Sequence, residues 1–318
     1  MIETQSYKGA NRPLIVLFGP TASGKTSLGV DLASHVGGEV VNVDSRQLYK
    51  EMPIITAMPT AEEQAGAPHH LYEVLEVSEK CDALKYAEMA KQVCEEIWAR
   101  GKVPILLGGT GFYIQSLLEG LSPIPEIDEG LIEQLNEREM EALYTELSEH
   151  DAAAANQIDA LDRQKVVRAL SVFLTTGKSI MEWQKLPRAG ALECASYYIA
   201  LNPERQRLID RINLRFDIMV DDGVEAEMRA LYDKKYPLNL PAMTSIGAPD
   251  FYDYFDGKLP WNELMEKVSQ QMRRYAKRQR TWLRGKYPHD LMVENPQTEK
   301  QAVLDGVDAF LKDMSEKS

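Results

Sequence analysis

No stretch of the chain approaches the roughly 18 consecutive apolar residues that a membrane-spanning helix requires, so no span is expected. The first dozen residues, MIETQSYKGANR, lack the apolar run of a secretory signal. Cysteine is scarce and scattered: Cys81, Cys94 and Cys194 form no CxxC pair. That argues against a zinc site and a disulfide framework, and sets a reducing cytoplasm as the expected location. Each of the three reads as a small buried apolar residue. Internal repeats and low-complexity segments are also missing. So is a basic excess, since the formal net charge is -13. A surface basic everywhere is excluded, but nucleic acid needs only one local basic face.

Such a face exists. Between Lys267 and Lys286 the chain carries Lys267, Arg273, Arg274, Lys277, Arg278, Arg280, Arg284 and Lys286, with no acidic residue. Solvated helix faces usually mix both signs. Eight like charges in an acidic protein point instead to an anionic partner. Arg273, Lys277, Arg280 and Arg284 are four, three and four apart, a spacing that predicts one face.

With 318 residues, 44% of them hydrophobic and 27% charged, the chain can form one large domain or two. The first 120 residues alternate strand and helix signals. PLIVLF, EVVNV and VPILL read as buried strands; KTSLGVDLASHV and ALKYAEMAKQVCEEIWARG read as helices stopped by glycine. This predicts α/β alternation around a parallel sheet, with functional groups at the carboxyl ends of the strands. SPIPEIDEG is a proline-punctuated linker. Beyond it LIEQLNEREMEALYTELSEH and RQKVVRALSVFLTTG read as helices, ASYYIALNPE returns to a strand, and the rest reads as helical. The expected organisation is a P-loop core beginning at 1–120, an inserted helical subdomain at 121–190, and a return to the core with C-terminal helices at 191–318.

The sharpest motif is GPTASGKT, Gly19 to Thr26, which satisfies GxxxxGK[ST] between a strand and a helix. Gly19, Thr21, Ala22, Ser23, Gly24, Lys25 and Thr26 are the candidate phosphate cradle. Backbone N–H groups and the helix N-terminus bind oxygens, Lys25 neutralises charge, and Thr26 can ligate Mg2+. Asp44, at the end of EVVNV, reads in three ways: a magnesium carboxylate, a base aimed at an acceptor, or a helix N-cap. Thr110, in the flexible turn GGTG, can donate a hydrogen bond to a phosphate or bridging oxygen. His69 and His70 are adjacent and point apart, so packing or hydrogen bonding is expected rather than metal binding.

Taken together, GPTASGKT, VDSRQLY, APHHL, GGTGFYIQSLLEGL, RALSVFLTTGKS, RINLRF and RRYAKRQRTWLRG occur in the order found in bacterial tRNA dimethylallyltransferases. The chain resembles that family over nearly its whole length. The resemblance implies a P-loop core with an inserted helical domain and a tunnel between them. It implies transfer of a dimethylallyl group from dimethylallyl diphosphate to N6 of adenosine 37, beside the tRNA anticodon. Diphosphate is then the leaving group of a carbon–oxygen bond, and positive groups that stabilise its growing charge lower the barrier. On this view Lys25, Mg2+ on Thr26 and Arg215 hold the diphosphate, and Thr110 contacts its oxygen. Asp44 accepts the N6 proton. The adenine leaves its stack to reach the site. Ser45, Gln47, Arg168, Arg273, Arg274, Lys277, Arg278, Gln279 and Arg280 are the implied tRNA contacts, and a monomer is expected.

The chain also departs from the family pattern. PIITAMPT stands where DIGTAKPT is usual, so Pro53, Ile55 and Met58 replace an acid, a glycine and a lysine. IGAPDF, with Ala248 and Pro249, replaces an IGYRE-like run, and QIDALDRQK, with Lys165 for an arginine, replaces RIHPNDPQR. Rival readings are a P-loop nucleotide or nucleoside kinase, a prenyltransferase acting on free adenine nucleotides, and an RNA-binding NTPase switch.

Overall fold

A computed structural model of the protein describes residues 12–286 and 289–316. The first segment alternates as the apolar pattern predicts: β1 (Pro13–Phe18), α1 (Lys25–Val36), β2 (Glu39–Val43), a one-turn α2 (Ala61–Gln64), β3 (His69–His70), α3 (Ala83–Ala99), β4 (Pro104–Gly108) and α4 (Gly111–Glu119). A helical unit, Leu118–Leu192, follows. It contains α5 (Glu129–Asn136), α6 (Met140–His150), α7 (Ala152–Ala155), α8 (Arg163–Thr176) and α9 (Ile180–Trp183). The chain then returns through β5 (Ala195–Leu201), α10 (Arg205–Asp221), α11 (Val224–Asp233), α12 (Ala248–Phe255), α13 (Trp261–Lys286), β6 (Leu291–Val293) and α14 (Lys300–Glu316).

All six strands run parallel, in the order β3-β2-β4-β1-β5-β6. Alternate strand residues serve opposite faces. Ile15, Leu17, Val40, Ile105, Leu107 and Ile199 pack with Leu28 and Leu32 of α1 and Val303 and Val307 of α14. Leu14, Val16, Val41 and Leu106 are equally buried on the other face, where α3 lies against β2 and β4. Each fully buried aliphatic side chain contributes roughly 1.5–3 kcal/mol. Register then fixes the site. Phe18 pairs with Gly108, and Gly108 with Val43, so β1, β4 and β2 end in one row. Gly19, Gly109 and Asp44 therefore leave the sheet side by side, at about 4.8 Å per strand.

Several sequence expectations need correction. The 131–150 run is two helices, not one. Leu135 and Leu143, both buried, are eight residues apart, and a continuous helix would rotate the second about 80° from the first. The break between α5 and α6 brings both into one core with Val166 and Leu170 of α8. The 205–233 run also divides, at Gly223, which has φ 94°. β3 and β6 are two and three residues long, too short for a periodic signal. Cys94 is buried, whereas Cys81 and Cys194 are only partly so.

Candidate active site

The loop after β1 is shaped by close approach. A Cβ on Gly19 would lie 2.8 Å from the Leu201 carbonyl oxygen, so only glycine fits. Gly24, at φ 93°, caps α1 without a side-chain bond, and Ala22 also has positive φ, 59°. The first turn of α1 carries no acidic residue, which leaves its N–H groups and dipole directed at an incoming anion. The Ser23 hydroxyl is buried without a partner among the described residues. Lys25 Nζ donates to the Pro20 carbonyl at 2.7 Å. Burial pushes Lys25 down to about 7, opposed by the charge of Asp44 and assisted by that of Arg215.

That mutual influence links three candidates, from the start of α1, the end of β2 and α10. Arg215 Nη2 donates to the Ala57 carbonyl at 3.4 Å. Burial lowers its pKa, while Glu63 and Asp44 oppose the shift. Burial raises the Tyr72 and Tyr275 phenols, and in both the negative charge of Asp44 is the next cause. The charge of Asp44 is thus felt by a lysine, an arginine and two tyrosines. No helix begins beside it, so the N-cap reading fails. Asp44 Oδ1 instead accepts from Arg46 N at 2.9 Å, forming a local turn.

Thr110 is bonded to the residues on either side of Asp44. Its N–H donates to the Val43 carbonyl at 3.0 Å, and its Oγ1 accepts from Ser45 N at 3.1 Å. The Ser45 backbone donor is therefore engaged inside the protein. Gln47 Nε2 donates to the Thr56 and Ala57 carbonyls at 3.1 and 3.0 Å, so Gln47 and Arg215 share one carbonyl. Thr26, in the first turn of α1, is half-buried, and its hydroxyl has no hydrogen-bond partner among the described residues. No group of three or more His, Cys, Asp or Glu able to hold a metal occurs among them either. A magnesium ion here would rest on Thr26 and on substrate oxygens, as Mg2+ often does.

Helix α13 divides the basic run differently from the spacing argument. Arg274, Lys277, Arg278 and Arg284 are exposed, but Arg273 and Arg280 are half-buried. Arg273 Nη1 donates to Asn213 Oδ1 at 2.9 Å, and Arg280 Nε to Asn202 Oδ1 at 3.0 Å. Seven residues apart, these two share a side turned toward α10 and the end of β5. Lys267 is paired with buried Asp250 at 2.7 Å. The Lys286 side chain lies outside the described residues. Gln279, expected on the RNA side, is 6% exposed. Its Oε1 accepts from Thr21 N at 2.9 Å, and its Nε2 donates to the Gly109 carbonyl at 3.2 Å. The Thr21 N–H is thereby withdrawn from the phosphate cradle. Arg168 is exposed on α8 of the helical unit.

A sequence profile of the IPP transferase family matches residues 47–286. The chain belongs to that family. A tRNA dimethylallyltransferase of Stenotrophomonas maltophilia is 40% identical over 312 residues, 94% of this chain and 98% of that one. One from Geobacter sulfurreducens is 41% identical over 292 residues, 91% and 94% of the two chains. The crystal structure of the full-length tRNA isopentenylpyrophosphate transferase of Bacillus halodurans superposes with a TM-score of 0.72 at 33% identity, covering 96% of this chain and 98% of that one. A eukaryotic dimethylallyltransferase acting on tRNA gives a TM-score of 0.72 at 28% identity, covering 86% and 70%.

Within this IPP transferase fold, four side chains around the candidate site escaped sequence reasoning. Asn42, fully buried, orients Asp44: its Oδ1 accepts from Asp44 N at 2.8 Å, and its Nδ2 donates to the Asp44 and Leu71 carbonyls. A polar residue inside the apolar strand EVVNV was the available signal. Arg211 Nη1 reaches the Ser23 carbonyl at 3.3 Å; it lies one helical turn before Arg215. Tyr275 lies beside Thr110, which tempers the rise that burial causes in its phenol. Glu227 accepts from Ile54 N and Ile55 N at 2.8 Å each, and no local pattern predicts that pairing. His70 pairs with Glu39 at 2.6 Å and His69 Nδ1 bonds the Ala67 carbonyl, as structural histidines do.

Proposed function

We propose that the protein transfers the dimethylallyl group of dimethylallyl diphosphate to N6 of adenosine 37 in tRNA, releasing diphosphate. One observation carries the reading: Lys25, Arg215 and Asp44 influence one another electrostatically, and a helix with an exposed basic face bonds directly to the same phosphate loop. A phosphoryl-transferring kinase needs the loop but not that helix.

The chemistry follows from charge. As the C1–O bond breaks, its electron pair passes to the diphosphate oxygen, and the N6 lone pair forms the new bond to C1. Lys25, the N-terminus of α1 and Arg215 are preorganised positive groups where that charge accumulates. Thr26 would hold a magnesium ion, which supplies further positive charge to the leaving group. Asp44 takes the proton that N6 sheds. The bond from Arg46 N to Oδ1 holds the carboxylate in place for that transfer. The exposed arginines and lysine of α13 bind RNA phosphates without reading bases.

The test is a competition among substrates. The protein is incubated with radiolabelled dimethylallyl diphosphate and, separately, labelled ATP, with AMP and unmodified tRNA as acceptors. Prenyl label in tRNA at adenosine 37 is the expected result. Label in AMP selects the free-nucleotide prenyltransferase, and transfer of γ-phosphoryl selects the kinase; either overturns the proposal.

A further inference from the structure

Beyond the ends of β1 and β4 the backbone ladder stops, and the two turns that follow both carry candidate diphosphate contacts. The turn after β1 is the phosphate loop; the turn after β4 carries Thr110. Gln279 stands between them. Its side-chain amide has the donor and acceptor of a peptide group, and it uses them as a strand would: Oε1 accepts from Thr21 N at 2.9 Å and Nε2 donates to the Gly109 carbonyl at 3.2 Å. The result is one additional rung, supplied by a helix. The fit is tight, since a Cβ on Gly109 would sit 2.2 Å from Gln279 Nε2.

The neighbours of Gln279 make the same contact. Tyr275, four residues earlier, lies beside Thr110, whose polar group tempers the rise of its phenol. Trp282, three residues later, covers Gly111, where a Cβ would lie 2.3 Å from the indole, and its ring packs at 5.0 Å from Phe18. At 100° per residue these three side chains span about 60° of α13. Exposed Arg274, Lys277, Arg278 and Arg284 occupy other directions of the same helix. One rigid element thus presents a basic face to solvent and a clamping face to both turns.

We infer that Gln279 is a positioning residue: it sets the separation of the phosphate loop and the Thr110 turn, and it transmits ordering from the RNA-binding face of α13 to the diphosphate site. The inference rests on the reading under Proposed function, but its decisive measurements need no prenyl transfer. A group that binds diphosphate better when the helix is held still makes RNA and diphosphate binding mutually favourable, and the coupling is reciprocal.

Gln279→Leu removes both bonds at nearly constant volume. Gln279→Glu keeps the acceptor for Thr21 N but sets an oxygen against the Gly109 carbonyl. In the full chain, inorganic diphosphate affinity is measured by calorimetry with and without a synthetic anticodon stem-loop. Stem-loop affinity is measured at three salt concentrations. In Gln279→Leu, diphosphate affinity should fall about tenfold, the size expected for one or two neutral hydrogen bonds. Its enhancement by the stem-loop should disappear, while stem-loop affinity and its salt slope stay within twofold. Gln279→Glu should recover part of the diphosphate affinity. Weakened stem-loop binding with unchanged diphosphate affinity would make Gln279 an RNA ligand and overturn the inference. Lower thermal stability with diphosphate affinity and coupling intact would reduce it to packing. Should Gln279→Leu not fold, hydrogen exchange at Thr21 N in the wild type decides: protection that deepens on adding stem-loop is required, and exchange at the rate of an open loop amide refutes it.

Discussion

Replacing Lys25 with arginine should change how many protons the enzyme takes up when it binds diphosphate. Burial brings the Lys25 ammonium down to about 7, with the Asp44 carboxylate opposing and the Arg215 guanidinium assisting. At pH 8 a group of that pKa is about 0.9 neutral, since each pH unit is a factor of ten. A diphosphate oxygen beside Nζ favours the charged form, so binding draws a proton onto Lys25. The sign is fixed: affinity declines as pH rises above about 7, by up to about tenfold per unit from this residue. Arginine remains charged throughout and takes up nothing. Isothermal calorimetry at pH 8 in two buffers of different ionisation enthalpy counts the protons directly. The difference between wild type and Lys25→Arg cancels the titration of diphosphate itself and should be about 0.9 proton, falling to about 0.1 at pH 6. Equal uptake by the two proteins at pH 8 would mean that Lys25 is already an ammonium in the free enzyme, and that burial is not the dominant force on it.

Asp44→Asn should lower prenyl transfer by a factor on the order of 10² to 10⁴ while tRNA affinity by filter binding is retained; transfer at the wild-type rate would make Asp44 a spectator. Arg274→Ala with Lys277→Ala removes two exposed cations of α13, in preference to Arg273, which is bonded to Asn213. The pair should flatten the log–log salt dependence of tRNA binding by roughly 1 to 2 units, at about 0.7–0.9 per phosphate contact, and an unchanged slope would remove α13 from the RNA surface. Burial acts to raise the Glu39 pKa, but hydrogen bonds from Arg100, His70 and Lys102 outweigh it and bring the carboxyl down to about 2. Its contribution to stability is therefore present above about pH 4.5 and lost as pH falls toward 2, on the order of 2–3 kcal/mol. Urea titrations of Glu39→Gln should lack that part of the acid slope, and a wild-type slope would refute the cluster's role.

What could be read from the sequence was what repeats locally. The strands β1, β2 and β4 are short apolar runs beside a glycine-rich turn, and that pattern depends on nothing distant. Register was not legible, although register is what sets Gly19, Gly109 and Asp44 in one row. β6 has three residues, and its parallel pairing with β5 requires a crossover of about 90 positions in sequence. The site divides in the same way. Lys25 announces itself through the eight residues around it. Asn42, Glu227 and Tyr275 act through partners that only the fold supplies. The basic run was visible as composition, yet helical spacing alone put Arg273 and Arg280 on the RNA face, because it cannot see that α10 and the end of β5 occupy that side.

The glycines of GGTG show how a motif can be recognised for an incomplete reason. Flexibility suggested a turn that receives phosphate. In the structure Gly109 and Gly111 are glycine because Gln279 and Trp282 lie where their side chains would be. The same distinction accounts for the departures at 53–58. Ile55 and Met58 are buried, and the N–H groups of Ile54 and Ile55 are held by Glu227. What this turn delivers to the site is the Ala57 carbonyl, which receives both Gln47 and Arg215. A carbonyl can be delivered by many side-chain sequences, provided the turn is anchored. Glu227 and the packed Ile55 anchor it here, so the charges lost at Pro53 and Met58 need not remove the contact that positions Arg215.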